Sequence, residues 1–562
     1  MKKNFIIIKT VNNSLSKKYE KIYSFKKKKS IDNLLIFYDD IYDIAKENLK
    51  EKTRISINLN AESTYNKIFD FLYHNETIDI RIDAHKTKIF FLKIENSIII
   101  SNDLYSLKEY GTYLFSYDKY FKNILLNINA FDIEQTIFQN ILSFSSNTRY
   151  FINEENKIIR KRYNLEINTK TDLKSFESSL EFFSKQFEIL VDKYSNLSNL
   201  GLLLSSGQDS SLLAYYLSKK SKKITNFTIG FNDKYHAWDE SSIAKDFSNY
   251  LNIKHEKIIF NTSDYEEGLK NAILFAGYIP INESEITFFK SSKAIKSFGI
   301  NHILNGDIID LPLGHNFGAN ELIIKNLNKK VNFNFFKELY ELLLYRYPFN
   351  RGYFKFIKFY KQLFKFNIDK LFIDKALEIR YVKYLLNKFN KKYLQINEIN
   401  EIINSINHND IRQKINTIDT YLKVSITNKY DNFFQNHQII NINAFSDKDF
   451  LNNILSIPSV YNYKDFNDSK YHSNEKFLMR TLVKNNLPDY IFKRRKYGFG
   501  IPTSIMIKQT SLYDYLLSKK FIEKEIMTRS QINFLINNDK NDLISNLLFK
   551  LVSYELMEEI FT

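Results

Sequence analysis

The chain contains no cysteine, which excludes disulfides, thiolate metal sites, iron–sulfur clusters and cysteine-nucleophile chemistry. It has only six prolines, and no apolar run approaches the roughly 20 residues that a membrane span needs. No span is therefore expected. The opening MKKNFIIIKT pairs two leading lysines with a short apolar run, but the run stops at Lys9 and no small-residue cleavage site follows. It reads as the first strand of a cytoplasmic protein.

At 562 residues, and about 150 residues per domain, the chain has room for two to four domains with proper cores. Hydrophobic residues at 44% and charged residues at 26% match the averages of folded chains, so wholesale disorder is excluded. Net charge is 81 − 64 = +17. The excess is lysine spread along the whole chain beside abundant Asn, Ile, Phe and Tyr. That is a compositional bias, and no nucleic-acid partner is expected from it.

Up to about residue 165, short β-like runs such as Asn4–Lys9, Ile55–Leu59, Ile89–Ile94 and Ser97–Ser101 alternate with polar turns. This predicts a strand-rich domain over 1–165 and a second unit over 166–562. Apolar residues at helical spacing then run from Asp172 to about Tyr194. A buried-strand run Leu200–Leu204, a polar loop, a helix Ser211–Ser218 and a second strand Ile224–Phe231 follow, which is how a parallel α/β sheet begins. Beyond about Glu321 the pattern is mostly helical. Within it, Tyr345 to Phe366 places Lys355, Lys358, Lys361 and Lys365 opposite an aromatic stripe. An ordinary amphipathic helix is the expectation there, with docking of an extended peptide or anionic lipid as the alternative.

The most informative stretch is Leu202-Leu203-Leu204-Ser205-Ser206-Gly207-Gln208-Asp209-Ser210-Ser211. A buried strand running through Ser and Gly into a helix gathers backbone N–H groups and hydroxyls at the helix N-terminus, where the dipole favours an anion. That is a phosphate cradle, unless Asp209 or Ser210 simply caps the helix. It is neither a GxxxxGK[ST] loop nor a GxGxxG turn.

LSSGQDSS resembles the SGGxDS loop of the N-type ATP pyrophosphatases, and three further segments narrow the resemblance to the asparagine synthetase-like branch. They are Phe227–Phe231 with Asp239–Ala244; Ile303–Asp310 with its Gly306-Asp307 turn; and Lys476-Phe477-Leu478-Met479-Arg480, Leu487-Pro488 and Arg494–Pro502, similar to K-x-L-x-R, L-P and R-x-K-x-G-F-x-x-P. The resemblance implies a fold of α/β class: a strand-rich N-terminal domain of degenerate class II glutaminase type, then a parallel-sheet ATP pyrophosphatase domain with a helical C-terminal part. It implies ATP and Mg2+ as cofactors, with Leu204, Ser205, Ser206, Gly207, Asp209, Ser210, Phe231 and Gly306 around ATP. Asp209 and Asp310 would hold the metal. Lys496, Asp307 and Arg494 would be catalytic, Lys496 facing the adenylate.

Departures from the family pattern are equally specific. Ser206 replaces a glycine, Asp307 stands where Glu is usual or Tyr in β-lactam-forming members, and Leu311-Pro312-Leu313-Gly314 is closer to the β-lactam synthetase run. Asn443-Ala444-Phe445-Ser446-Asp447 keeps only a trace of E-V-R-x-P-F-L-D. In the N-terminal half, Ser101-Asn102-Asp103 and Thr136–Ile141 faintly resemble a glutaminase, yet Lys2 stands where the nucleophilic cysteine belongs. β-Lactam synthetases and lasso-peptide cyclases resemble this arrangement. The implied reaction is carboxylate adenylation, then amine attack, as in lactam or macrolactam closure. A small carboxylate or a peptide would be the substrate, with a precursor peptide and its protease as partners; the oligomeric state is left open. Ammonia-dependent asparagine synthesis, a tRNA-modifying pyrophosphatase and a non-catalytic binding protein are the alternatives.

Overall fold

The computed structural model describes residues 5–9, 27–31, 34–38, 42–49, 52–59, 67–74, 77–82, 89–94, 97–101, 107, 141–143, 148–153, 157–162, 173–221, 223–231, 239–276, 280, 283–309, 312–313, 430, 433–462, 476–493, 501, 506–517, 529, 533, 537 and 542–561. Asp310, Arg494, Lys496 and the 345–366 segment lie outside the described residues.

The N-terminal part is built from antiparallel strands. They are β1 (Phe5–Lys9), β2 (Lys27–Ile31), β3 (Leu34–Tyr38), β4 (Tyr42–Leu49), β5 (Lys52–Leu59), β6 (Lys67–His74), β7 (Thr77–Ile82), β8 (Phe90–Ile94), β9 (Ser97–Ser101), β10 (Ile141–Ser143), β11 (Thr148–Ile152) and β12 (Ile158–Arg162). They form two six-stranded sheets, in the orders β10-β8-β9-β1-β3-β2 and β12-β11-β7-β6-β5-β4. All four strands expected here are present, Ile55–Leu59 as the second part of the longer β5. Period-two alternation does the work: in β7, Ile78 and Ile80 are fully buried while Asp79, between them, binds Arg149 of β11 with an Nε–Oδ1 distance of 2.7 Å.

Next comes α1 (Phe176–Ser195). It starts at Phe176 because Ser175 and Ser178 form a reciprocal cap, and it buries Phe183, Phe187, Leu190, Val191 and Tyr194. Then follow β13 (Leu200–Leu203), α2 (Gln208–Lys220), β14 (Thr225–Phe231), α3 (Ser241–Tyr250), β15 (Lys254–Phe260), α4 (Thr262–Ala276), α5 (Thr287–Ser297), β16 (His302–Asn305) and β17 (Ile440–Asn443). The five strands make one sheet of order β15-β14-β13-β16-β17, parallel at every pairing.

Two of these strands had no sequence expectation. β15 reads KHEKIIF, an edge strand whose charges hide its period, and β17 has only four residues. α2 begins at Gln208, three residues before the expected Ser211, because Gly207 is the N-cap. Asp209 and Ser210 therefore stand inside the first turn and do not cap it. After β17 the described residues are mostly helical, as expected: α6 (Lys448–Leu455), α7 (Phe477–Asn486), α8 (Asp489–Phe492), α9 (Leu512–Leu517) and α10 (Asp542–Phe561). One cluster of buried apolar side chains takes in Ile7, Leu34, Ile78 and Tyr150 from the antiparallel sheets and Phe183, Phe187, Leu202 and Leu304 from the parallel part. No helix among the described residues is long and apolar enough to cross a membrane.

Candidate active site

In the parallel sheet the chain proceeds outward from β13 to β14 and β15, then returns to the other side of β13 for β16 and β17. That reversal makes β13/β16 the switch point, where the loops leaving the carboxyl ends diverge and open a crevice. The 204–210 loop leaves β13 here, and the Gly306-Asp307 turn leaves β16.

The loop is tied to the sheet at its start. Leu204 donates its N–H to the Phe227 carbonyl at 2.8 Å, and its own carbonyl accepts the Thr228 hydroxyl at 2.6 Å. Because that hydroxyl donates to Leu204, its 3.0 Å contact with His255 requires a proton on Nε2 of the imidazole. Burial holds the His255 pKa below its ordinary value, which keeps the ring neutral in this brace. The Ser210 hydroxyl accepts from the Ser205 N–H at 3.2 Å and lies 3.1 Å from the Ser205 hydroxyl, folding the loop back on the helix that follows.

Ser206 has φ of +51°, the left-handed region that glycine enters most readily. Its side chain is turned to Oε2 of Glu240 at 3.4 Å. The hydroxyl is thus drawn toward the acidic pair before α3, so this departure from glycine has a partner in the fold. Asp239, the other member, accepts from the Ser241 N–H at 2.8 Å and the Lys257 ammonium at 2.6 Å. Burial alone would raise its pKa, but those hydrogen bonds prevail and hold it below the usual carboxylate value.

Lys476 reaches the loop from 267 residues away. Its ammonium donates to both carboxylate oxygens of Asp209, at 2.9 and 3.1 Å, with side chains only 14% and 10% exposed. The rest of K-x-L-x-R is equally placed: Leu478 is fully buried and Arg480 lies over the Phe492 ring at 5.9 Å. Gln208 of the loop donates to the Phe492 carbonyl at 3.1 Å. The chain therefore enters the segment holding Arg494 and Lys496 from a point fastened to the phosphate loop.

Across the crevice, Gly306 packs so closely that a Cβ there would meet both the Cα and the N of Ser210 at 3.2 Å. Asp307 accepts a 2.5 Å hydrogen bond from the hydroxyl of Tyr430, a buried side chain whose ring rests on Phe288 with centroids 4.5 Å apart. The next residue, Ile308, has φ of +85°, costly for a β-branched side chain. Of the six non-glycine residues with left-handed backbone among those described, three, Ser206, Ile308 and Lys476, lie here; Asn199, Asn252 and Gln438 are elsewhere. Such strain persists where the surroundings impose it, which is common at functional sites.

These residues suit a nucleotide phosphate. Gly207 caps α2 with no side-chain acceptor, an arrangement that suits an external anion at the helix start, and among the described residues the Ser211 hydroxyl in that turn is buried with no partner. Asp209 suits a hard cation and already holds an ammonium. Among the described residues no group of three or more His, Asp or Glu could hold a metal ion. Of the other expected site residues, Phe231 ends β14 with its ring buried edge-on to Phe260, centroids 6.4 Å apart, and its N–H donates to Asp239 at 3.3 Å. The trace Asn443–Asp447 runs off the end of β17. Phe445 packs on Phe187, and Asp447 caps α6 while binding the Lys193 ammonium at 2.5 Å and the Tyr194 hydroxyl at 3.1 Å.

The family model for asparagine synthase matches residues 195–549, more than half of the chain. The chain belongs to the asparagine synthase family. No curated protein matches it. Among solved structures, the NMN synthetase from Francisella tularensis is similar at 18% identity with a TM-score of 0.18, over 25% of this chain and 61% of that one. The likeness thus spans about three-fifths of that relative and is too slight to bear on fold or activity.

The sequence places Leu204, Ser205, Ser206, Gly207, Asp209, Ser210, Phe231, Gly306 and Asp307 at the site; of these, Gly306 packs directly against Ser210, so the turn after β16 and the start of α2 adjoin. Glu240, Tyr430 and Lys476 were not among them. Glu240 and Lys476 lay inside quoted motifs, which was their available signal. Tyr430, outside every motif, had none.

Proposed function

We propose that the chain is an ATP-dependent, AMP-forming amide ligase, with a class II glutaminase-type scaffold over 1–165 and the ligase over 166–562. The observation that carries it is the meeting, at the β13/β16 switch point, of an anion-binding loop, the Asp209–Lys476 pair and the Asp307–Tyr430 pair. A substrate carboxylate attacks the α-phosphorus of ATP, pyrophosphate leaves, and an amine then displaces AMP to form the amide. The 205–210 loop holds phosphate oxygens, and Lys476 supplies positive charge beside them. Asp209 and Asp310 would hold Mg2+, which when bound would supply positive charge to offset the negative charge of the phosphates. Asp307, held by the Tyr430 phenol, accepts the proton that the attacking amine loses. Lys496 and Arg494 face the developing negative charge.

With no thiol in the chain, glutamine is not the nitrogen source by cysteine chemistry. An amine on the substrate itself gains the effective molarity of an intramolecular reaction, which favours lactam or macrolactam closure, with a peptide or small carboxylate as substrate. The test supplies ATP, Mg2+, aspartate and ammonium to the purified protein and follows AMP, pyrophosphate and asparagine by mass spectrometry. No asparagine is expected; its efficient formation at millimolar aspartate would replace ring closure by plain asparagine synthesis.

A further inference from the structure

Asn443, the last residue of β17, is only 7% exposed, and among the described residues neither its amide nitrogen nor its amide oxygen has a hydrogen-bond partner. Burying such a group unpaired forfeits its hydration with nothing in return, so the orphaned amide needs a reason. Its place in the sheet supplies one. Asn443 is in register with Asn305, and residues opposite one another on neighbouring strands project from the same face. Two residues back on that face is Asn441, whose Oδ1 accepts from Asn305 Nδ2 at 2.9 Å, while Asn305 Oδ1 accepts the Asp307 N–H at 3.2 Å. The three amides form a row at the carboxyl edge, beside the Gly306-Asp307 turn. Asn305 and Asn441 satisfy one another and Asp307; Asn443 stands at the end of the row, unsatisfied. Asn462 has the same two orphaned atoms, but it sits in the turn Ser459–Asn462, off the sheet. Position, not burial, therefore singles out Asn443.

We infer that Asn443 recognises a peptide unit of the substrate, next to the carboxylate that is activated. The inference rests on the ligase reading above and gives its substrate class. An amide offers one kind of donor and one acceptor. A carboxylate only accepts and an ammonium only donates, so each would leave half of the Asn443 amide unpaired. A peptide group, with its own N–H and C=O, satisfies both. Substrates without flanking peptide units would leave the buried amide unpaired and bind more weakly.

The test uses the full chain and two monocarboxylate probes: propanoate, and N-acetyl-aspartate N-methylamide, which carries the same carboxylate arm with a peptide unit on each side. Calorimetry should find the second bound roughly tenfold tighter by the wild type, the worth of one or two buried hydrogen bonds. Asn443→Leu should lose that preference while its melting temperature holds or rises, because an unpaired polar group has been removed. Asn443→Asp, which only accepts, should lose it too. A wild type that binds both probes equally, or neither, overturns the inference, whether or not the variants fold. So does a preference that survives in Asn443→Leu, or a melting temperature that drops there with the preference unchanged. Exchange of labelled pyrophosphate into ATP is measured separately. Its absence with both probes would defeat the ligase reading even where calorimetry upholds Asn443 as a peptide contact.

Discussion

Two ion pairs set the halves of the molecule side by side. Arg149 and Asp79 bridge neighbouring strands of an antiparallel sheet with the arginine 57% exposed, whereas Lys476 and Asp209 meet at the mouth of the parallel sheet almost out of water. The chemistry is the same and the surroundings are not. Water and salt screen the first pair, so it contributes little beyond register. The second has given up its hydration, which makes each partner dependent on the other and leaves a charged carboxylate beside a phosphate cradle. Antiparallel sheets with two-residue links, such as those after β2, β4, β6 and β8, keep their loops short. Parallel strands need long crossovers, and those crossovers deliver distant residues to one edge.

That contrast is most sharply tested at Asp209. Asp209→Ala should lower AMP and pyrophosphate formation by on the order of 10³-fold or more while circular dichroism stays unchanged, because a charge is lost from the site and no core packing is lost. Near-normal pyrophosphate release would remove Asp209 from the proposed metal site. Next in size, Lys476→Met should cost about 3 kcal/mol in denaturant unfolding by stranding the Asp209 carboxylate, and adding Asp209→Asn should restore most of it. Additive losses would mean that the pair is not coupled.

A smaller effect is expected at Asp447. Burial alone would raise its pKa, yet the Lys193 ammonium, the Phe450 N–H and the Tyr194 hydroxyl keep it below the ordinary carboxylate value. A depressed carboxylate lends stability that is complete above its unfolded pKa, about 4, and disappears as pH falls through the folded value. Asp447→Ala should therefore cost about 1–2 kcal/mol near neutral pH, cap included, and the gap to wild type should narrow in acid melting curves. A constant gap down to low pH would show that only the cap matters. Smallest of all, Arg149→Ala should change stability by less than about 1 kcal/mol, and added salt should erase the difference; a loss as large as that from Lys476→Met would collapse the comparison between the halves.

Local chemistry was readable before any coordinates. A buried strand, a run of Ser and Gly and a helix start are contiguous, so LSSGQDSS announced an anion cradle, and alternation announced β1, β5, β8 and β9. The family followed from motifs lying in order between residues 200 and 502, and the match over 195–549 upholds it. β15 and β17 escaped because edge strands carry charge or are too short to show a period. Asp447 looked like a motif remnant and is a cap and an ion-pair partner in the fold.

The sequence by itself determined the strand–loop–helix from Leu200 to Lys220, the absence of a thiol and the strand-rich start, because each depends on neighbours in the chain or on composition alone. Only the tertiary structure decided that Lys476 would neutralise Asp209, that Tyr430 would hold Asp307 and that the Asn443 amide would be buried without a partner among the described residues. Those outcomes depend on strand order and register, which bring residues far apart in the chain to one edge of a sheet. No spacing within any single segment encodes that distance.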